Sequence, residues 1–300
     1  MEDEPARRSV LEESLGACDA EELLVLLKAE SERYWHVDPH ISLRAAETLI
    51  DAARLAGQPY HEALGLMAKG DALRFLGRYP ESLPFFERAA EAFLVQGHEV
   101  GWARTRIGWL HTMHLLGRGE EALAVAERAR EILIRYEEWL RAGGLDLNTA
   151  VVCKELGRYA QALDLYDRAR MAFESLGASV ETHAAYAKAS KAVLLTLLGD
   201  SRAALALYDE VREVWARRGE DASVIRQDHN IAWIYAGQGH YTRALRLLSD
   251  VFAAHEKAGL AVEAAWAALN MVECYLGLNR YADALELAQE TVERFERCGT

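Results

Sequence analysis

The sequence predicts an all-α solenoid of about seven antiparallel helical hairpins, and two observations carry this prediction. A segment similar to residues 156–166 recurs along the chain, and its glycine repeats at steps of 40, 40, 42, 40 and 40 residues. An Ala-Leu or Ser-Leu pair stands five and six residues after each of these markers. A fixed step of this size is typical of stacked units that share one continuous core. The marker positions are Gly77, Gly117, Gly157, Gly199, Gly239 and Asn279.

The first 18 residues predict a short polar lead-in, with a helix from Pro5 to Leu15 that ends at Gly16. After the lead-in, Asp19 and Glu22 have the spacing of a capping box, and we expect the helix that they open to run to about residue 35.

The second helix of the first hairpin has its own start signal. Asp38 and Pro39 form an N-cap followed by proline at the first helical position, and the helix that they open is predicted to end at Gly57.

From Pro59 onward, every unit predicts a helix up to the marker, a turn of two or three residues, a second helix and a closing glycine in the left-handed conformation. The second helices carry apolar residues at intervals of three and four, and one unit cannot bury this stripe alone. Large residues such as Phe86, Tyr166 and Tyr208 are expected to fill the gap between units. The predicted units are about 19–57, 58–97, 98–140, 141–179, 180–219, 220–259 and 260–300, and the predicted closing glycines are Gly97, Gly143 or Gly144, Gly177, Gly219, Gly259 and Gly299.

One unit departs from this pattern. Gly143 and Gly144 interrupt what should be a first helix, although the step length is kept. A pair of glycines costs a helix interior roughly 2 kcal/mol relative to alanine. We therefore expect a break at this point, either a hinge or an early cap.

Composition argues against several classes of protein. The 34 Lys+Arg face 47 Asp+Glu, and the net charge of −13 opposes a nucleic-acid backbone in the far field. No apolar run approaches the roughly 18 to 20 residues that span a bilayer, and the acidic first twenty residues lack the core of a secretory signal. We expect a cytoplasmic protein without nucleic-acid or membrane partners.

Cysteine and histidine spacing predicts no metal site and no cofactor. His36, Asp38 and His40 are close in sequence, but Asp38 is better explained as an N-cap and no fourth ligand is evident. Widely scattered cysteines without a C-x-x-C pair predict reduced, mostly buried thiols. The four cysteines are Cys18, Cys153, Cys274 and Cys298.

The small and aromatic residues of the repeat resemble the tetratricopeptide repeat family. The pattern is Gly157, Tyr159, Ala162, Tyr166 and Ala169, a similar pattern occupies residues 230–241, and the resemblance covers about residues 20–300. Two features depart from the family: the step is 40 instead of the usual 34 residues, and the proline near the end of the second helix is missing.

The longer step is similar to that of kinesin light chains, bacterial peptide-sensing regulators and the repeats beside caspase-like (CHAT) peptidase domains. This variant class spans several functions, so it narrows the partner little. The resemblance implies a right-handed superhelix whose concave wall is lined by the first helix of each unit.

Positions 13, 9 and 6 residues before each marker lie near one face of the first helices, and we expect them to line the groove. Asparagine amides there can bond to an extended peptide backbone, arginines can hold a carboxylate, and tryptophans can form rigid apolar walls. The candidate peptide- or protein-binding residues are Arg104, His111, Asn148, Tyr186, Ser190, Arg226, Asn230, Trp233, Trp266, Asn270 and Glu273.

Two alternatives stay open for these residues: the asparagines bridge adjacent helices, and the tryptophans belong to the core. No recognisable motif places a nucleophile beside His111 and His114, Cys153 falls at a buried column, and no glycine-rich phosphate loop follows a strand. We therefore expect no catalytic residues.

The sequence favours an interaction scaffold that binds a protein or peptide in its groove and has no catalysis of its own. The alternatives are a regulatory or sensor segment of a larger bacterial enzyme or signalling protein, such as a CHAT-type peptidase, and a peptide-responsive regulator. The last unit lacks the polar helix that normally shields a repeat array. We expect its Leu285, Val292 and Phe295 to be exposed, for self-association or for a following domain.

Overall fold

The protein is an all-α stack of helical hairpins, and the computed structural model describes residues 4–17, 19–35 and 37–298. Contacts divide the chain into two compact units, Met1–Ala172 (unit 1) and Phe173–Thr300 (unit 2), and the division falls in the last turn of one helix. The helices that begin in unit 1 are α1 (Glu4–Ala17), α2 (Ala20–Arg33), α3 (Pro39–Leu55), α4 (Pro59–Phe75), α5 (Tyr79–Val95), α6 (Glu99–Leu115), α7 (Gly119–Arg135), α8 (Trp139–Glu155) and α9 (Tyr159–Ser175). Unit 2 continues with a single 3₁₀ turn (Ala178–Val180), α10 (Glu181–Leu197), α11 (Ser201–Arg218), α12 (Asp221–Gly237), α13 (Tyr241–Ala258), α14 (Ala261–Gly277) and α15 (Tyr281–Cys298).

The predicted helix starts at Asp19 and Asp38 are confirmed. The Asp19 carboxylate accepts a hydrogen bond from the Glu21 amide at 2.9 Å, and the Asp38 carboxylate accepts one from the His40 amide at 2.9 Å. Each bond satisfies an amide that has no partner within its own helix. His36, the remaining member of the considered metal cluster, lies outside the described residues.

Turns between helices use the left-handed conformation at the predicted markers. Five of the six markers are glycines with positive φ, and Asn279 takes the same place with φ 58°. Asparagine tolerates this region better than other residues with a β-carbon. The closing glycines of the second, fourth, fifth and sixth hairpins also have positive φ, whereas Gly299 lies outside the described residues.

The break predicted at Gly143 and Gly144 is wrong, because α8 runs through both glycines without interruption. The left-handed position that closes the preceding helix is taken by Glu137, with φ 57°, at the same 40-residue step as the other closing residues. Helix α8 therefore begins at Trp139. Burial of Ala142 and Leu145 in the unit 1 core stabilises the helix there. Tertiary packing outweighs the low helix propensity of the glycine pair.

The core of unit 1 is centred on large rings that lie between helices. Phe86 of α5 is fully buried, and its ring lies against Gly70 of α4 and Gly108 of α6. A β-carbon at Gly108 would stand 2.5 Å from this ring, so only glycine allows the observed approach. The lead-in helix α1 joins the same unit by burying Leu11 against α2 and α3, and it ends at Ala17, beyond the predicted Gly16.

The core of unit 2 is built from the same positions of the repeat. Tyr208 of α11 is almost fully buried against α10 and α12, as the sequence predicts. Leu248 of α13 packs with Ala232 and Cys274 of the flanking first helices. Alternation of alanine with larger residues brings α10, α12 and α14 into contact along one side of the unit. This arrangement presents one face of each first helix to solvent.

Candidate functional site

The candidate binding residues occupy one face of the first helices, and their exposure differs between the units. At the columns 13 and 6 residues before the marker, unit 2 carries Tyr186, Trp233 and Trp266, which are 44%, 52% and 53% exposed. At the same columns in unit 1, Arg104 and His111 are only partly exposed, and Asp71 is buried. The predicted columns therefore form an open surface in unit 2 only.

We call this surface the unit 2 face, and it consists of Tyr186, Ser190, Arg226, Asn230, Trp233, Trp266, Asn270 and Glu273. Its aromatic rings are held from beneath by the second helices. Tyr186 lies edge-on to Trp215 with ring centroids 5.0 Å apart, and Trp266 lies edge-on to Phe295 at 5.4 Å. Rings that are fixed on one side and open on the other give large contact area with little loss of conformational freedom. The alternative that the tryptophans at positions 233 and 266 are core residues is wrong.

Charged and polar groups of the unit 2 face are available for a ligand. Arg226 and Glu273 are exposed, and neither makes an ion pair with any residue that the structure describes. Ser190 and Asn230 are partly exposed and make no side-chain hydrogen bond within the described part of the chain. An unpaired guanidinium and an unpaired carboxylate on one face can each bind an oppositely charged group.

Asn270 behaves differently and bridges two helices. Its side-chain nitrogen lies 2.7 Å from Nε2 of His229, which connects α14 to α12. Burial lowers the pKa of His229, and the nearby His255 lowers it further. A neutral imidazole can accept the proton of the amide. For Asn270 the structure supports the bridging alternative.

Candidate residues in unit 1 are engaged with their own neighbours. Arg104 pairs with Glu138, which also binds Arg141. Burial raises the pKa of Glu138, but the two arginines outweigh this effect and hold it below its usual value. Asn148 donates a hydrogen bond to the Ile107 carbonyl at 3.0 Å and so bridges α8 to α6. These groups stabilise unit 1 and are not free for a ligand.

His111 is the third candidate in unit 1, and its environment keeps it neutral. Burial lowers its pKa to about 4, and Arg74 and His114 add to the effect. Its Nδ1 atom is buried and has no hydrogen-bond partner among the described residues. We find no nucleophile placed to use this histidine, since Cys153 is buried on another helix and burial raises the pKa of its thiol.

A cavity of about 400 Å³ adjoins the unit 2 face, and the sequence reasoning missed most of its lining. Trp233 and Glu273 belong to both, while Thr196, Gln238 and Tyr241 were not among the candidates. A signal was present, because tyrosine recurs two residues after four of the six markers. These are turn positions, and only the packing of α10, α12 and α14 reveals that they border an opening.

Two further searches of the structure give no feature that adds a function. Across residues 4–17, 19–35 and 37–298, no helix is long and apolar enough to cross a membrane, and no three metal-ligating side chains are grouped together. Cys153 and Cys274 are free and buried thiols. Cys18 lies outside the described residues.

Comparison with known proteins identifies the repeat. One tetratricopeptide repeat model matches residues 229–258, and a second matches residues 144–168 and 265–290. The chain is a tetratricopeptide repeat protein. No curated protein sequence matches this repeat protein.

Solved structures share its fold at low sequence identity. A signal transduction ATPase (STAND) protein with a tetratricopeptide repeat sensor, PH0952 from Pyrococcus horikoshii, superimposes with TM-score 0.79 at 11% identity, over 98% of this chain and 44% of that one. The apo form of RapI gives TM-score 0.74 at 13% identity, over 92% and 77%. A Rap protein complexed with competence and sporulation factor gives 0.61 at 14% identity, over 98% and 92%. At these identities the likeness concerns the fold alone.

Proposed function

We propose that this repeat protein is an interaction scaffold that binds a peptide or protein segment on the unit 2 face, with no catalysis of its own. The observation that carries the proposal is the pair Trp233 and Trp266, each more than half exposed on adjacent first helices. Exposed tryptophans are costly to leave in water and are enriched among residues that dominate binding energy. Arg226 and Glu273 add unpaired charges of both signs to the same face. Similarity of fold to a Rap protein complexed with competence and sporulation factor is consistent with a peptide ligand.

The experiment begins with a displayed library of random 12-residue peptides, panned on the immobilised full chain. The selected peptide is then synthesised with a fluorophore and titrated against the parent, Trp233→Ala and Trp266→Ala by fluorescence anisotropy. Truncating a hot-spot tryptophan costs about 2 kcal/mol or more, which is a loss of roughly thirtyfold in affinity. We expect a loss of at least tenfold for each variant.

The chain offers a matched control for this experiment. Trp139 of α8 is 42% exposed, which is close to the exposure of the two test residues, but it lies in unit 1 and outside the three columns. Trp139→Ala should bind the peptide as the parent does. Equal binding by all three variants, with helicity unchanged by circular dichroism, would show that the unit 2 face is not the site.

A second candidate function is that of a sensor within a larger signalling protein. It is favoured by the match to PH0952, in which a chain of this length corresponds to 44% of a protein with a tetratricopeptide repeat sensor. A sensor changes shape when its ligand binds. Small-angle scattering of the chain with and without the selected peptide tests this function, and an unchanged radius of gyration counts against it.

A further inference from the structure

The cavity beside the unit 2 face lies at the C-terminal ends of the first helices. It is lined by Thr196 of α10, by Trp233 and Gln238 at the end of α12, by Tyr241 of α13 and by Glu273 of α14. Its volume of about 400 Å³ falls at the small end of the roughly 300 to 1,000 Å³ that binding pockets occupy. One long side chain with a few waters fits this space.

Negative charge dominates the lining. Glu273 is the single charged residue among the nine that border the cavity, and it has no ion-pair partner in the described part of the chain. Residues 236–238 contribute the last turn of α12, and the C-terminal end of a helix carries partial negative charge. A cation entering the cavity meets attraction from both sources and no competing positive residue.

Two aromatic rings border the same space. Trp233 is half exposed, and its indole is the largest apolar surface in the lining. The Tyr241 ring is seated directly on Gly277, where a β-carbon would stand 2.3 Å from it, so the glycine fixes the position of the ring. Aromatic faces attract ammonium and guanidinium groups, and the attraction grows when the cation leaves water. Rings and a carboxylate together suit a basic side chain whose methylene groups also need apolar contact.

We propose that this cavity binds the lysine or arginine side chain of the segment held on the unit 2 face. The inference rests on the proposed function, because Trp233 and Glu273 belong to both the cavity and the face, so the occupant is continuous with the bound segment. The net charge of −13 attracts a basic ligand over longer distances as well.

The test uses small probes of defined chemistry instead of an unidentified partner. N-acetyl-lysine methylamide, N-acetyl-arginine methylamide and the uncharged N-acetyl-norleucine methylamide are titrated into the full chain at low salt. The NMR signal of the Trp233 indole N–H, assigned by its loss in Trp233→Phe, reports occupancy of the cavity. We expect the basic probes to bind at least fivefold more tightly than the norleucine probe.

Glu273→Gln keeps the shape of the side chain and removes its charge. This variant should lower the affinity of the basic probes to that of the norleucine probe. Glu263→Gln is the matched control, because Glu263 is an exposed glutamate at the other end of the same helix and does not border the cavity. It should leave all three affinities unchanged.

Each outcome decides the inference. Equal affinity for basic and norleucine probes, or an unchanged preference in Glu273→Gln, overturns the assignment of a cation. If peptides still bind through Trp266 in that case, the proposed function stands and this inference alone fails. A cavity that prefers basic probes in a chain from which panning yields no peptide overturns the assignment of a peptide side chain.

Discussion

Unit 1 and unit 2 carry the same repeat, yet equivalent positions have opposite roles. Arg104 and Arg226 both stand 13 residues before a marker, but Arg104 is paired with Glu138 and Arg226 has no ion pair within the described residues. Glu138 lies 34 residues after Arg104, and the residue 34 positions after Arg226 is Leu260. Both residues are N-caps of the next first helix. One substitution at an equivalent position therefore separates a structural arginine from an available one.

A second difference lies in the size of the side chains at the middle column. Nine residues before the marker, unit 1 has Ala68 and Gly108, whereas unit 2 has Ser190, Asn230 and Asn270. Gly108 allows the Phe86 ring and the Asp71 carboxylate to close over the column. Polar side chains of moderate size leave the unit 2 face more open. Stacking thus conserves the core of a repeat, while variation at a few columns decides which part of the array can bind a ligand.

The largest effect that we expect from this comparison concerns the burial of His111. Its folded pKa of about 4 lies below the value of 6.5 for an unperturbed histidine. Above pH 6.5 the imidazole is neutral in both states and its contribution to stability is complete. As pH falls from 6.5 toward 4, only the unfolded chain gains the proton, so the free energy of unfolding declines by up to about 3 kcal/mol.

Urea unfolding of the parent and His111→Gln at several pH values between 7.5 and 4.5 measures this decline. The difference between the two proteins cancels the contributions of other titrating groups. His40→Gln is the control, because His40 is an exposed histidine of the same unit. If the parent and His111→Gln respond identically to acid, the closed packing that distinguishes unit 1 does not extend to this position.

A pair of glycines in unit 2 gives the next largest effect. Gly277 and Gly237 each end a first helix, but a β-carbon at position 277 would collide with the Tyr241 ring and one at position 237 would meet open space. Gly277→Ala should destabilise the protein by about 1 to 3 kcal/mol through overpacking. Gly237→Ala should be neutral or stabilising by up to about 1 kcal/mol. Thermal unfolding compares them, and equal shifts of the same sign would mean that Tyr241 moves freely.

The smallest effect tests the two arginines directly. Arg104→Ala should cost about 1 kcal/mol of stability, because its pair with Glu138 is only partly buried, and it should leave peptide binding unchanged. Arg226→Ala should change stability by less than about 0.5 kcal/mol. Denaturant unfolding and anisotropy on the same variants separate the two roles.

A transplant of the unit 1 arrangement sharpens this test. Leu260→Glu places a carboxylate where unit 1 has Glu138, within reach of Arg226, and should weaken binding of an acidic peptide by engaging that arginine. Leu260→Gln is the uncharged control. A gain in acidic-peptide binding by Leu260→Glu would show that an ion pair at this position does not withdraw the arginine.

The sequence by itself determined the local features of this protein. Caps at Asp19 and Asp38, the left-handed turn at Asn279 and the helical columns depend on residues that are a few positions apart, and each was predicted correctly. Tetratricopeptide repeats were recognisable for the same reason, since their pattern is written within each unit.

The tertiary structure decided what depends on residues far apart in sequence. Contacts of α8 with its neighbours override the propensity of Gly143 and Gly144. Arg104 is withdrawn by a partner 34 residues away, and the cavity requires α10, α12 and α14 together. Local rules cannot supply these outcomes, because the free energy of an ion pair or a packed ring depends on which groups the fold brings into contact.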